Sequence, residues 1–201
     1  MYPRMMPHMH KVFVSYHHAR DQEYADAFRD FYGAEDAAFL DRSLLEAVDS
    51  NNTEYIMSII RTEGLKESTA TIVLVGLETR LRKYVDWEIY SSLRPGPRRT
   101  RNGLLGILLP GASKEHLPPR FLDNYRESKD GKQIGYAKLI PWDRISPPAT
   151  KFQAWWWGDE EIKRRKKTLS QWIHAAYLNR ENKAMEVDIT TTPRFAKNRP
   201  A

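Results

Sequence analysis

No cysteine occurs anywhere in the 201 residues, which excludes disulfides, thiolate nucleophiles and cysteine-based zinc sites. No stretch approaches the roughly 20 consecutive apolar residues needed to cross a bilayer. The opening MYPRMMPHMHK has no apolar segment of the kind that directs secretion. Together these absences lead to the expectation of a cytoplasmic protein without a membrane partner. A P-loop, a GxSxG elbow and an HExxH helix are also missing, which disfavours ATPase, serine-hydrolase and zinc-protease chemistry. No metal is expected.

What is present suits a single domain with a full core: the chain is 41% hydrophobic at a mean hydropathy of −0.66. Six Trp, ten Tyr and seven Phe are a heavy aromatic load, suggesting a ligand surface or a braced C-terminal extension. The net charge of +6 is concentrated in RPGPRRTR at 94–101 and KRRKK at 163–167. Such a field favours an anionic ligand, a dinucleotide as well as a nucleic acid.

Read in order, residues 1–10 form a loose arm in which His8 and His10 are the conceivable metal ligands. KVFVSY at 11–16 is β-branched and aromatic, a first strand. Asp21 can cap the helix that follows, with Tyr24, Phe28 and Phe31 on one face and Gly33 at its end. AAFL at 37–40 reads as an edge-side second strand, followed by a change of direction at Asp41-Arg42-Ser43. A helix over 53–62, capped by Asn51 or Asn52 and ended by Gly64, leads to the strand at 69–76. LLGILLP at 104–110 is another buried strand, and KLIPW at 138–142 a short last one in a loop-rich stretch. Strands alternating with helices over short connections imply a parallel, doubly wound α/β sheet with helices on both faces. Expected boundaries are an arm at 1–10, an α/β domain at 11–148, a helical extension packed on it at 149–180, and a poorly packed tail at 181–201. Within the extension, a charged helix over 160–178 should bury Ile162, Leu169, Trp172, Ile173 and Ala176.

The stretch at 71–92, TIVLVGLETRLRKYVDWEIYSS, is the one around which the rest is organised. Its apolar run is a strand buried on both faces, and Gly76 closes it. Glu78-Thr79 can cap the next helix, whose inward stripe includes Leu81, Val85 and Ile89. Glu88 falls about 60° from Val85 on a helix of about 100° per residue, at the edge of that stripe. Ligands of open α/β sheets bind beyond the carboxyl ends of the strands. Glu88 is therefore a site candidate by position, against the plainer reading of a solvated helix carboxylate.

Four segments in this order, Phe13-Val14-Ser15-Tyr16 with its loop to Asp21, Phe39-Leu40-Asp41-Arg42-Ser43, residues 72–76, and Tyr84-Val85-Asp86-Trp87-Glu88-Ile89, resemble TIR-like domains. More closely, they are similar to the ThsB family, the TIR-like subunits of the Thoeris antiphage system. The resemblance covers about residues 11–110. It implies a flavodoxin-like fold that consumes NAD, with Glu88 as the catalytic residue. It further implies a cyclic ADP-ribose isomer as product and a separate effector protein that this product activates, and TIR domains commonly self-associate. Many enzymatic TIR domains carry Ser-x-Trp-Cys before the glutamate; here Tyr84 stands in the Trp position and no Cys is present.

One carboxylate suffices for this chemistry, because nicotinamide leaves NAD as a neutral base and needs no strong acid. The carboxylate stabilises charge developing at the anomeric carbon. Water would then yield ADP-ribose, whereas a nucleophile within the bound molecule yields a ring when water is excluded. Around Glu88 the sequence places Phe13, Ser15, Tyr16 and His17 from the first loop, Gly76, and Tyr84 and Trp87 from the same helix. Tyr16 or Trp87 is a candidate to stack on a ring, Asp41 and Ser43 to meet a ribose hydroxyl, and His17, Arg82 or Lys83 to meet phosphate; each has core, turn or surface roles as the alternative. Two other functions compete: a non-catalytic TIR-like interaction module, and a nucleic-acid or nucleotide binder using KRRKK with the Trp triplet at 155–157. The last ranks lowest, since no recognised nucleic-acid motif is present.

Overall fold

The computed structural model describes residues 10–33, 53–96, 100–149 and 151–199. The proposed edge strand at 37–40, Asp41, Ser43 and the Asn51/Asn52 caps lie outside the described residues. Elements run in the order β1 (Val12–Ser15), α1 (His18–Tyr32), α2 (Thr53–Ile59), β2 (Ala70–Val75), α3 (Lys83–Leu93), β3 (Gly103–Leu108), α4 (Pro119–Asn124), β4 (Lys138–Pro141) and α5 (Lys151–Glu181). The four strands form one parallel sheet in the order β1-β2-β3-β4, with Ser15 opposite Val73, Ile72 opposite Leu105 and Gly106 opposite Leu139. This is the parallel α/β architecture expected from the alternating pattern, consistent with the flavodoxin-like, TIR-like fold that the family resemblance implies.

Side chains alternate across the sheet with the period of two that strands impose. Val12, Val14, Ala70, Ile72, Leu74, Leu105 and Ile107 face α1 and α5, where Ala25, Phe28, Leu169, Ile173 and Ala176 complete one core. Val73, Val75, Leu104 and Leu139 face α3 and α4, against Val85, Ile89, Leu93 and Phe121. Phe13 faces the same way and joins Ile56, Met57, Ile60 and Trp87 in a third cluster. Helices thus change side of the sheet between β1 and β2: α1 packs on one face, α2 and α3 on the other. In open α/β sheets ligands bind outside the carboxyl ends of the strands where such a change of side occurs.

Several local expectations are corrected. Helix α1 begins at His18, so Asp21 lies in its first turn instead of capping it. A single 3-10 turn, Thr79–Leu81, intervenes before α3 begins at Lys83. Helix α2 runs on into a wider π turn, Ile60–Gly64. Helix α4 lies in the stretch expected to be loop-rich: Pro119 at its first position gives a start signal, but six residues carry too little periodicity to mark a helix. Helix α5 spans Lys151–Glu181 and is broken at Gly158, whose φ of 66° suits glycine. The tail, expected to pack poorly, lies against α3 and α4 through hydrogen bonds accepted by the carbonyls of Asp188, Ile189 and Phe195 and by the Asn198 side chain. No periodic signal marks such a segment, since it is held by its backbone groups. His10 is buried against His174 and Tyr177, with 3.1 Å between His10 Nε2 and His174 Nδ1. Among the described residues no helix is long and apolar enough to cross a membrane.

Candidate active site

Helix α3 runs back along β2, and two contacts fix its register. Low on the strand, Ser92 Oγ lies 2.7 Å from Thr71 Oγ1 and donates to the Glu88 carbonyl, also over 2.7 Å. Asn102 Nδ2 donates to Thr71 Oγ1 and to Ser68 Oγ, so this polar row beneath the helix is paired. One turn toward the helix start, Ser15 Oγ donates to Glu88 Oε2 over 2.5 Å. Ser15 is the last residue of β1, which puts the acid at the carboxyl end of the sheet where the helices change side.

Glu88 is only 5% exposed, and among the described contacts Ser15 is its side-chain partner. Burial raises its pKa from an ordinary value near 4.5 to about 8, while the Ser15 hydrogen bond pulls it back down. At neutral pH the resting carboxyl therefore holds its proton, and a cation brought beside it would favour ionisation. A buried acid with a strongly shifted pKa at a sheet's carboxyl edge is a mark of chemistry rather than of a solvated face.

The rim of the site comes from the loops after β1 and β2. His17 is buried, its Nε2 lies 3.6 Å from Glu78 Oε2, and that nitrogen has no hydrogen-bond partner. Burial lowers its pKa, Arg82 adds to the lowering and Glu78 opposes it, so the imidazole is neutral at pH 7. Arg20 Nη2 is 3.4 Å from the other Glu78 oxygen. Gly76 is needed by its neighbour: a Cβ there would stand 2.3 Å from Asp21 Oδ1. The Asp21 carboxylate accepts from Thr79 Oγ1, which in turn accepts from the Gly76 N–H, and burial raises the Asp21 pKa. Glu78 and Asp21 escaped the sequence reading as site groups because single acids beside helix starts are read as caps.

Of the residues proposed around Glu88, Phe13 and Ser15 lie on its side of the sheet, and His17 and Gly76 lie in the loops at that end. Tyr16 is not with them. Its ring is buried in the opposite core, stacked on His18 at 4.2 Å, with its hydroxyl donating to Gln22 and accepting from Arg29. Alternation along β1 dictates this, since Ser15 and Tyr16 point to opposite faces. Trp87 is 2% exposed and its indole N–H donates to the Phe195 carbonyl over 2.8 Å, so it is occupied by the tail instead of being free to stack on a ring. Tyr84 remains 43% exposed, edge-on to Trp87, with Lys83 Nζ over both rings.

Two other features weigh less. An open cleft of about 690 Å³ between the tail and the chain near Arg126 is lined by Arg101, Asp123 and Lys183, near the amino ends of β3 and β4 and so away from Glu88. Three of the five cations of KRRKK share two carboxylates of their own helix: Lys163 pairs with Glu160, and Arg164 and Arg165 both pair with Glu161. Trp157 lies under Arg165 at 4.2 Å, leaving Trp156 exposed. No group of three His, Asp or Glu side chains set to hold a metal occurs among the described residues.

A parallel sheet whose helices change side beside one buried glutamate defines a TIR-like α/β domain. The chain belongs to the family described as Thoeris protein ThsB, TIR-like domain, whose model matches residues 13–114, just over half of the sequence. A comparison with curated proteins returns no match. The matched span starts at the second residue of β1, contains β2, β3 and Glu88, and ends before α4, α5 and the tail.

Proposed function

We propose that this chain is an NAD-consuming enzyme of antiphage defence that breaks the nicotinamide glycosidic bond at Glu88 and closes the remaining ADP-ribose into a cyclic signal. The observation carrying this reading is the buried Glu88 carboxyl, hydrogen-bonded to Ser15 at the carboxyl end of the sheet. NAD brings a pyridinium cation to that carboxyl, which favours its ionised form. As the C1′–N bond breaks, its electron pair leaves with nicotinamide as a neutral base, and the carboxylate offsets the charge left on the ribose. A nucleophile elsewhere in the bound molecule then bonds to C1′, and exclusion of water from so buried a site favours this over hydrolysis.

With Glu88 5% exposed, a substrate reaching its carboxyl requires neighbouring chain to move, which suits an enzyme that waits for a trigger. Arg82 and Arg20 supply positive charge at the rim for a pyrophosphate. The product's partner would be a separate effector protein, and self-association of the chain is part of the same reading. Mass spectrometry of nucleotides formed from NAD, with purified protein alone and with lysate of infected cells, tests it. A cyclic product formed by the wild type and lost in Glu88→Gln supports the proposal. Undiminished product in the variant removes Glu88 from the chemistry, and no product under either condition favours a non-catalytic interaction module.

A further inference from the structure

The two residues before Glu88 in α3 are both engaged by the C-terminal tail. Asp86 is 2% exposed and Arg120, from α4, is fully buried; Nε of the guanidinium lies 2.8 Å from Asp86 Oδ1 and Nη2 lies 3.3 Å from Oδ2. Asp86 Oδ2 also accepts the backbone N–H of Phe195 over 2.9 Å, while Trp87 donates to the Phe195 carbonyl. One tail residue is thus gripped at both its N–H and its C=O by successive helix residues. Upstream, Arg120 Nη1 donates to the Ile189 carbonyl over 2.9 Å. Asn124 brackets Asp188, giving its amide to the carbonyl and receiving the N–H. Downstream, Asn198 Oδ1 accepts from the Lys83 N–H, serving as the N-terminal cap that α3 lacks from its own flank, and Arg199 N–H reaches the Leu81 carbonyl.

We propose that the tail from Asp188 to Arg199 is a latch that positions Glu88, with Asp86 and Arg120 as its positioning residues. This rests on the reading of Glu88 as the catalytic acid. The apolar stripe of Val85, Ile89 and Leu93 holds α3 on the sheet but resists rolling weakly, because hydrophobic contact is non-directional. Hydrogen bonds at Asp86, Trp87 and the helix start are directional and stop the roll. A roll of about 20° would carry a carboxyl roughly 6 Å from the helix axis by about 2 Å, enough to break the Ser15 contact. Arg120 and the whole latch lie outside residues 13–114, so the part matched by the family model is braced by chain that the model does not include.

The test uses full-length variants. Asn198→Ala removes the cap, Asp86→Asn weakens the grip, and the pair Asp86→Leu with Arg120→Met removes both charges together so that neither is left buried alone. Two readings are taken: the carboxyl ¹³C titration of Glu88, which needs no turnover, and kcat and KM for NAD. The latch predicts that the Glu88 midpoint drops by at least about one unit, because water reaching the carboxyl relieves the burial that raises it, the larger effect, while loss of the Ser15 hydrogen bond opposes this by less. It also predicts that kcat falls about tenfold or more, as expected for a misplaced group, with KM changed less than about threefold. Variants with wild-type circular dichroism, an unmoved Glu88 midpoint and undiminished kcat overturn it. A wild type that turns over no NAD refutes the enzyme reading instead, and the titration alone then decides the latch. If Asp86→Asn fails to fold, the charge-free pair and Asn198→Ala give the answer.

Discussion

Ser15 Oγ stands 2.5 Å from Glu88 Oε2, a buried hydrogen bond between the end of the first strand and the middle of α3. It joins the site to the sheet and links the protonation of Glu88 to both stability and proposed activity.

The first consequence concerns stability. Glu88 titrates near 8 in the folded chain against about 4.5 when unfolded, so between those values the native state binds more protons. Its stabilising contribution is fully present below about pH 4.5, is lost as pH rises toward 8, and is absent above. Each unit crossed is worth at most about 1.4 kcal/mol. Urea unfolding at pH 5.5 and pH 8.5 should show a larger loss with rising pH for the wild type than for Glu88→Gln, whose amide does not titrate. Equal losses in the two proteins would refute the assignment.

The same bond sets the expected pH dependence of turnover. Ser15 favours the ionised form of Glu88, so Ser15→Ala should move the ascending, acid limb of the kcat/KM profile to higher pH by about one unit, the worth of one hydrogen bond to a charged group. At pH 7 this appears as roughly tenfold lower kcat/KM, recovered in part at pH 9. A profile displaced downward would mean that the hydroxyl favours the protonated acid.

Gly76→Ala should destabilise the fold by about 1–3 kcal/mol, since its Cβ would stand 2.3 Å from Asp21 Oδ1. Combining it with Asp21→Ala relieves the clash, and the double variant should lose less than the two single losses summed. Thermal unfolding of the four proteins reads the coupling; strict additivity would show that the two groups do not meet.

Leu169→Ala, in the core between α5 and the sheet, should cost about 2–5 kcal/mol while leaving the Glu88 titration unchanged. A moved Glu88 midpoint would show that the two faces of the sheet are coupled.

Much of the fold was legible in the residues. The β-branched and apolar runs at 11–16, 69–76 and 104–110 became β1, β2 and β3 within one or two positions, since strands buried on both faces leave uninterrupted apolar stretches. The position of Glu88 at the edge of a helical stripe was legible for the same reason, being a matter of angle along one helix. The site was read less completely. Tyr16, a site or core candidate by sequence, belongs to the opposite core, because neighbours on a strand point to opposite faces. For Trp87 the sequence leaves a stacking role and a core role open, and only the fold shows its indole buried and bound to a residue 108 positions away. Glu78 and Asp21 gave no signal beyond that of helix caps.

By itself the sequence determined the alternation of strands and helices, the parallel sheet and the one acid carried at a stripe's edge, because local periodicity and side-chain volume dictate these. Tertiary structure alone decided that this acid is dry, that Ser15 is its partner, and that Asp86, Trp87 and Arg120 belong to the tail. Those outcomes rest on directional hydrogen bonds between segments 69 to 109 residues apart, which leave no periodic trace in the chain they join.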